Sequence, residues 1–251
     1  MTKLNVQKSH LVMGLHSIEA VLNHSPERIV RVFHLKIAAN SNDRKTSLIA
    51  KLKDARIKLI PSSAHFLDDL CQSTSHQGIA AELKERAHVD IDDFLETNTS
   101  KLVIALDTIT DPHNLGAILR ACECFGVGLV IWSKNRGAAL SPVVSKTSSS
   151  ATEFVPIKIV SNLATTIDKF IKADYTIIGV HVSQDSQNLF NYEFPSKTLL
   201  ILGAEAEGIR PILQKKLDAS LMIPMHGTID SLNVSQAAAI AISVWKNKAT
   251  S

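Results

Sequence analysis

The sequence predicts an α/β protein: a mostly parallel sheet in its C-terminal part, with helices on both faces, preceded by a small α/β module. Three observations predict this architecture. Short β-rich runs alternate with helical stretches after residue 101. Several runs, such as residues 102–106, are continuously apolar, which is typical of strands buried on both faces. A polar, acidic stretch at residues 87–100 separates the two patterned regions.

The composition excludes several classes of protein. The chain has 251 residues, of which 45% are hydrophobic and 20% charged, and this apolar fraction is too high for an intrinsically disordered chain. Three cysteines do not make a disulfide scaffold, so we expect reduced thiols. The apolar runs fall far short of the ~20 residues that a bilayer demands. Because residues 1–7 do not form a secretory signal, we expect a cytoplasmic protein without a membrane partner.

Charge is unevenly distributed, although the formal net charge is only +3. Residues 1–86 hold 13 Lys and Arg against 8 Asp and Glu, whereas residues 87–100 hold four acidic residues and no basic one. The front third is therefore the part expected to face a polyanion, although such an excess is as often an ordinary solvated surface. Its plausible phosphate contacts are Arg28, Arg31, Lys36, Arg44 and Lys45.

These patterns divide the chain at residues 87–100. We expect an N-terminal domain at residues 9–86, a linker at 87–100 and a C-terminal domain at 101–251. In the first domain, strands are predicted at 28–36 and 78–83 and helices at 44–55 and 63–70. In the second, six strands are predicted, at 102–107, 129–133, 155–160, 176–182, 198–203 and 220–224. The serine-rich run at 145–150 is predicted to be a polar loop or a frayed helix end.

Three polar segments follow predicted strands of the second domain. In the first, Asp111-Pro112 ends a strand, Asn114 is a candidate helix cap, and Arg120 follows six residues later. The second has two glycines, Gly203 and Gly208, which permit a ligand to approach the backbone closely. The third, residues 223–237, leads into a helix of small apolar residues ending near Trp245, which is predicted to be buried in the core or at a subunit interface.

Polar loops after parallel strands predict a ligand-binding crevice at the carboxyl edge of the sheet. The ligand is not suggested by any common nucleotide motif, because the sequence lacks GxGxxG and GxxxxGK[ST]. It also lacks the GxSxG of serine hydrolases. Cys122 and Cys124 lie two residues apart in a predicted helix and do not form a zinc pattern, so core thiols are expected and no metal.

The three segments resemble the ordered motifs of one enzyme family. They read Asn114-Leu-Gly-Ala-Ile-Leu-Arg120, then Gly203-Ala-Glu205-Ala-Glu-Gly208, then Ile223-Pro-Met-His-Gly with Ser231-Leu-Asn233-Val-Ser. In this order they resemble the SpoU-type (TrmH-like) RNA ribose 2'-O-methyltransferases of the SPOUT superfamily. Residues 13–20 and 76–79 also resemble the small, ribosomal-protein-like RNA-binding domain that precedes the catalytic domain in members acting on a guanosine of 23S ribosomal RNA.

The resemblance implies more than the composition does. It implies S-adenosylmethionine as the methyl donor, RNA (ribosomal RNA above others) as the partner, and a homodimer formed through the C-terminal domain. It also implies a deep trefoil knot in that domain, a rare exception among folds. The implied catalytic residues are Asn114, Arg120, Glu205, Ser231 and Asn233. The implied cofactor-binding residues are Leu202, Gly203, Ile223, Met225 and Leu232.

The implied reaction is an in-line displacement in which a ribose 2'-oxygen attacks a sulfonium methyl group. The family makes Arg120 the candidate for activating the hydroxyl. Because arginine side chains stay protonated in proteins, we expect Arg120 to hold the target phosphate and ribose instead, which leaves the proton acceptor open. Asn114 and Asn233 would then orient the substrate or the loop, and Glu205 would pin the knot through hydrogen bonds to the backbone or to Arg120.

The sequence departs from the family pattern at one position. Ser150 stands directly before Ala151, where the resembling proteins usually carry a glycine. The backbone there is therefore expected to differ, and with it the contacts of that loop.

Three other functions stay open. The first is modification of a transfer RNA ribose, although family members acting on the tRNA D-loop generally lack the N-terminal domain. The second is an RNA-binding or ribosome assembly factor that has lost methylation, against which the intact Asn114, Arg120 and Asn233 speak. The third is a generic nucleotide-binding α/β enzyme, which the missing phosphate loops disfavour.

Overall fold

The computed structural model describes residues 10–36, 44–85, 89–97, 102–204, 207–229 and 231–249. Its first part alternates short strands with helices. The elements are β1 (His10–Met13), α1 (Leu15–His24), β2 (Ile29–Leu35), α2 (Arg44–Asp54), β3 (Leu59–Ser62), α3 (Ala64–Cys71) and β4 (Ile79–Leu83). The two strands and two helices that the sequence predicted here, namely β2, β4, α2 and α3, are confirmed to within one residue at each end.

The second part continues the alternation. Its elements are α4 (Ile91–Thr97), β5 (Leu102–Asp107), α5 (Pro112–Cys124), β6 (Leu129–Ser133), α6 (Pro142–Thr147), β7 (Ile157–Val160), α7 (Leu163–Lys172), β8 (Thr176–Val180), β9 (Gln187–Asn188), β10 (Thr198–Gly203), α8 (Pro211–Gln214), β11 (Ala219–Met222) and α9 (Val234–Ala249). All six strands predicted in this part are confirmed. Among the described residues, no helix is both long enough and apolar enough to cross a membrane.

Seven strands of the second part form one sheet, in the order β7-β6-β5-β10-β8-β11-β9, and every neighbouring pair is parallel. The continuous apolar runs explain this arrangement, because all six residues of β5 and all five of β6 are buried. One face packs against Phe170 of α7 and against Ile91 and Phe94 of α4. The predicted α/β architecture with a parallel sheet is confirmed.

The first part has its own four-stranded sheet, in the order β1-β4-β2-β3. Strand β4 runs antiparallel to both of its neighbours, and β3 runs parallel to β2. Helices α1 and α2 supply Ile18 and Leu48 to the core on one face. The other face packs Phe33 against Leu67 of α3, with Val143 of α6 at its edge.

The chain forms two compact units, and their division does not follow sequence order throughout. One unit contains the described residues up to 85 together with Leu140–Glu153, and the other contains the described residues of 89–139 and 154–249. The segment predicted as a linker contains α4, which belongs to the second unit through its buried residues Ile91 and Phe94. Residues 140–153, which precede β7 in the chain, pack within the first unit.

A buried carboxylate joins Leu140–Glu153 to the rest of the first unit. The Glu153 side chain is fully buried, its Oε1 lies 2.6 Å from His10 Nε2, and its Oε2 lies 2.9 Å from Arg28 Nη2. Thr152 Oγ1 also donates to Oε1, at 2.9 Å. Burial raises the pKa of Glu153, but the contacts with His10, Arg28 and Thr152 outweigh it and hold the pKa below its usual value.

Glu153→Gln is expected to lower the free energy of unfolding of the first unit by about 2 kcal/mol. This is less than the ~3–5 kcal/mol for breaking a buried ion pair, since the amide keeps some of the hydrogen bonds. Because the pKa of Glu153 is lowered in the folded state, its contribution is complete above the ordinary value of 4.5 and is lost as the pH falls through the folded pKa. Urea titrations at several pH values measure this effect.

The matched control is Glu123→Gln, which changes an exposed glutamate of the second unit. It should leave the stability of the first unit unchanged at every pH. Equal stability of Glu153→Gln and the wild type at neutral pH would contradict a stabilising ion cluster.

Ser150 adopts the conformation that a glycine would adopt with less strain. Its φ is 69°, in the left-handed region, and its side chain is buried. Its hydroxyl makes no hydrogen bond with the described part of the chain. That the backbone here differs from that of the relatives stays a prediction; in this chain Ser150 has a positive φ that a glycine adopts with less strain.

Ser150→Gly is therefore expected to raise the melting temperature, with a gain of about 1 kcal/mol from the relieved backbone strain. Ser148→Gly is the matched control. Ser148 has an ordinary helical φ of −74° and its hydroxyl donates to the Ser145 carbonyl at 2.9 Å, so the control should lower the melting temperature. Thermal denaturation of both variants by circular dichroism makes the comparison, and a less stable Ser150→Gly variant would contradict it.

Candidate active site

A cavity of about 670 Å³ lies at the carboxyl ends of β8, β10 and β11. This volume lies within the ~300–1,000 Å³ of typical small-molecule sites, and its position is where α/β sheets bind ligands. All five residues predicted to bind a cofactor line it, namely Leu202, Gly203, Ile223, Met225 and Leu232. The crevice predicted from the polar loops is therefore present between the second and third segments.

The two glycines of the second segment serve backbone packing within the protein. A side chain at Gly203 would lie 2.2 Å from the carbonyl carbon of Gly208, so only glycine fits there. Gly208 has a φ of 63° and its N–H donates to the Ala204 carbonyl at 2.8 Å, which closes a tight loop. Both glycines also line the cavity, and the expectation that a ligand approaches their backbone stays a prediction.

A buried ion pair, which sequence reasoning missed, holds the far end of this loop. Asp107 ends β5 and its side chain is fully buried. Its Oδ2 accepts a hydrogen bond from the Arg210 backbone N–H at 2.9 Å, and its Oδ1 accepts from Arg210 Nε and lies 2.7 Å from Nη2. The sequence contains one signal for this ion pair: an aspartate at the end of a buried apolar strand needs a partner for its charge.

The first and third segments meet through two asparagines. Asn233 Nδ2 donates to Asn114 Oδ1 at 3.0 Å, and Asn233 Oδ1 accepts from the backbone N–H of Ser235 at 2.9 Å. Asn233 therefore fixes the start of α9 against α5. The expectation that Asn114 caps α5 is wrong, because Asp111 accepts from the His113 N–H and Pro112 occupies the first turn.

Of the other three predicted catalytic residues, the structure describes two, and only one of these lines the cavity. Ser231 lines the cavity and is exposed. Arg120 is exposed on α5 and forms no ion pair with any residue that the structure describes. Glu205 lies outside the described residues, so its predicted hydrogen bonds stay a prediction. Arg120 is not part of the cavity wall, whereas the Asn114–Asn233 pair adjoins the wall through Leu232 and Val234.

The wall of the cavity is divided about equally between polar and apolar surface, and it suits a ligand with a flat apolar ring and several polar groups. Leu202, Ile223 and Leu232 supply apolar surface, and main-chain groups at Gly203 and Ala204 supply polar atoms. The polar side chains in the wall are those of His181, Glu207, Gln214 and Ser231. Within the described ranges, no group of three or more His, Cys, Asp and Glu side chains is arranged to hold a metal ion.

Several of the basic residues that could contact phosphate are engaged within the first unit. Arg28 pairs with Glu153, and Arg31 pairs with Glu82 and lies 5.4 Å over the Phe33 ring. Arg44 lies 2.8 Å from Glu19. Lys36 is exposed at the end of β2. Three of the five candidate phosphate contacts are therefore already paired with carboxylates of the same unit.

Comparison with known proteins decides the family. The model of the SpoU rRNA Methylase family matches residues 101–243, which is more than half of the chain and includes all three motif segments. The chain belongs to the SpoU rRNA Methylase family. A second family model, of the RNA 2'-O ribose methyltransferase substrate binding domain, matches residues 11–89 of this SpoU methylase.

Curated relatives of this SpoU methylase match along nearly its whole length. The 23S rRNA (guanosine-2'-O-)-methyltransferase RlmB of Shewanella oneidensis is 35% identical over 240 residues, covering 94% of this chain and 96% of the relative. The protein of the same name from Acinetobacter baylyi is 34% identical over 241 residues, with the same coverage.

Solved structures of SpoU methylases share the fold. The SpoU methyltransferase AviRb from Streptomyces viridochromogenes, in complex with the cofactor AdoMet, superposes with a TM-score of 0.74 at 21% identity and covers 94% of this chain and 89% of its own. The A. aeolicus TrmH/SpoU tRNA modifying enzyme, at 25% identity and a TM-score of 0.55, covers 63% of this chain and 80% of its own.

Proposed function

We propose that this SpoU methylase transfers the methyl group of S-adenosylmethionine to a ribose 2'-hydroxyl of RNA, and that its substrate is a guanosine of 23S ribosomal RNA. The observation that carries the reaction is the cavity at the carboxyl edge of the parallel sheet, lined by Gly203, Ile223 and Leu232 from two family motifs. Its volume and the apolar half of its wall fit an adenosine, and the polar half, which includes main chain of the tight loop, suits the rest of the donor.

The donor, when bound, supplies a methyl group activated by a sulfonium charge. Leu202, Gly203, Ile223, Met225 and Leu232 hold it, and Asp107 keeps the 203–210 loop in place by binding Arg210. A fixed loop would hold the donor in one position relative to the substrate, and such positioning contributes to the rate of a displacement. Asn114 and Asn233, joined by their hydrogen bond, orient the substrate at the edge of the cavity.

Arg120 is assigned to the RNA side of the reaction. Because it is exposed and forms no ion pair with a described residue, its five N–H donors are available to a phosphate or a ribose oxygen. Ser231, in the cavity wall, lies on the donor side. Glu205 is proposed to pin the knotted loop. The acceptor of the 2'-hydroxyl proton is left unassigned.

Ribosomal RNA is favoured over transfer RNA by the N-terminal domain. The relatives named for 23S rRNA methylation match both parts of this chain, whereas the tRNA modifying enzyme from A. aeolicus covers 63% of it. We propose that residues 9–86 bind the RNA substrate, that 101–251 form the catalytic domain, and that the two are connected by 87–100. The proposal includes a deep trefoil knot in the catalytic domain and a cytoplasmic location.

Methylation of RNA in vitro tests the function. The purified protein is incubated with tritiated S-adenosylmethionine and either 23S ribosomal RNA or bulk transfer RNA, both made without modifications. Incorporation into 23S RNA, at a single ribose that resists alkaline cleavage, is the expected result. Incorporation into transfer RNA alone would favour the tRNA alternative. Donor binding without transfer to either RNA would favour an assembly factor, and no donor binding would overturn the reaction.

We also propose that the protein is a homodimer through its C-terminal domain. Helix α9 is rich in small apolar residues, and exposed apolar side chains such as Phe190 and Ile229 lie in the same unit. Analytical ultracentrifugation at micromolar concentration should give the mass of two chains. A Phe190→Asp variant should shift the distribution towards one chain, and a monomeric wild type would contradict the proposal.

A further inference from the structure

His181 is a cavity residue that the family motifs do not include. It follows β8 directly and lines the cavity next to Val180 and Val182. The sequence offers no motif around it, because only the fold brings the end of β8 beside the ends of β10 and β11. With Glu207 it is one of two ionisable side chains in the described wall of the cavity.

One hydrogen bond positions the imidazole of His181, and two others hold its backbone. Its Nε2 lies 3.0 Å from Ser220 Oγ on β11. Its backbone N–H donates to the Leu221 carbonyl at 2.9 Å, and its own carbonyl accepts from Ser186 Oγ at 2.9 Å. A Cβ at Gly179 would lie 3.2 Å from His181 Cδ2 and 2.6 Å from Leu217 Cδ1, so the missing side chain at Gly179 leaves room for the ring.

We propose that His181 is a donor-selectivity residue: its uncharged imidazole admits the cationic sulfonium donor, and its protonated form disfavours that donor relative to the uncharged product, S-adenosylhomocysteine. This inference rests on the proposed function. The physical reason is that two cations share one cavity that the protein encloses in part, so their repulsion is screened less than in bulk water. Because the ring is held by Ser220, it does not relieve the repulsion by turning away.

His181 is uncharged at neutral pH, because no charged group near it offsets the effect of its burial. Burial lowers the pKa of His181, and no neighbouring charge offsets that effect. Glu207 shares the cavity wall but is exposed. Asp185 is exposed in the turn that follows β8, and Asp218 binds the Ile177 N–H near the opposite end of β8. His181 is therefore protonated only in acidic solution, at a pH below the range in which histidine usually titrates.

The test compares donor and product on the full-length protein by isothermal titration calorimetry. Wild type, His181→Gln and the control His65→Gln, which changes an exposed histidine of the first unit, are titrated with S-adenosylmethionine and S-adenosylhomocysteine at about pH 7.5 and about pH 5.5. In the wild type and the control, acidification should weaken donor binding severalfold more than product binding, by less than the ~10-fold that a histidine of ordinary pKa would give over this range. In His181→Gln this difference should disappear. Ionisation of the ligands themselves affects the titrations of all three proteins equally and so does not produce the difference.

Two results would overturn the inference while leaving the proposed function intact. One is a ratio of the two dissociation constants that does not change with pH in the wild type. The other is an equal change in His181→Gln. If His181→Gln does not fold, the pH dependence of this ratio in the wild type and in His181→Asn decides the inference instead. Absence of donor binding at neutral pH would instead refute the proposed function itself.

Discussion

Arg120→Ala is expected to lower methyl transfer by a factor of about 10³, the loss typical of removing a group that stabilises charge in the transition state. Its fold should be unchanged, because Arg120 is exposed on α5 and forms no ion pair with a described residue. Donor binding should also be unchanged, since Arg120 is not in the wall of the cavity. Single-turnover methylation and calorimetry with S-adenosylmethionine measure the two properties separately.

Arg136→Ala is the matched control, because Arg136 is an exposed arginine of the same unit. It should retain full methyl transfer. Normal turnover by Arg120→Ala would refute the role assigned to this residue, and a loss of donor affinity would show that Arg120 acts on the cavity rather than on RNA.

Asp107→Ala is expected to lower the free energy of unfolding by about 3 kcal/mol and to abolish measurable donor binding. The loss removes a fully buried carboxylate and leaves the Arg210 guanidinium and backbone N–H without their partner. The 203–210 loop forms one wall of the cavity, so the donor loses its site when the loop is released. Chemical denaturation and calorimetry provide the two measurements.

Asp185→Ala, at an exposed position, is the control and should change neither property. A double-mutant cycle with Asp107→Asn and Arg210→Gln isolates the coupling between the two side chains. If the effects of the two single changes simply add, the ion pair does not hold the loop.

The strands of the sheet were predictable because burial on both faces leaves a continuous apolar signal. Strands β5, β6 and β10 have their predicted bounds. Three strands were missed: β1 has only four residues, β3 contains Pro61, and β9 has two residues. The cap of α5 was misassigned although Asp111-Pro112 is a common helix start, because Asn114 is also a good capping residue.

The cavity was predictable because polar loops after parallel strands must share one edge of the sheet. The loops gave the position of the cavity, whereas Gly203, Ile223 and Leu232, which line it, were identified through the resemblance to the family motifs. The Asp107–Arg210 pair and His181 were not, because their partners lie 103 and 39 residues away along the chain. Sequence spacing carries no information about contacts of that kind unless the order of the strands is already known.

Because residues 140–153 belong to the first unit, the positions at which this chain can be divided into fragments are limited. A fragment that starts at residue 101 would carry Val143 and Glu153 away from the neighbours that bury them. It would expose an apolar side chain and leave an acidic group without its counter-charges, so such a fragment should aggregate or lose this segment to proteolysis. Evolutionary loss of the N-terminal domain would likewise require compensating changes in the stretch between β6 and β7.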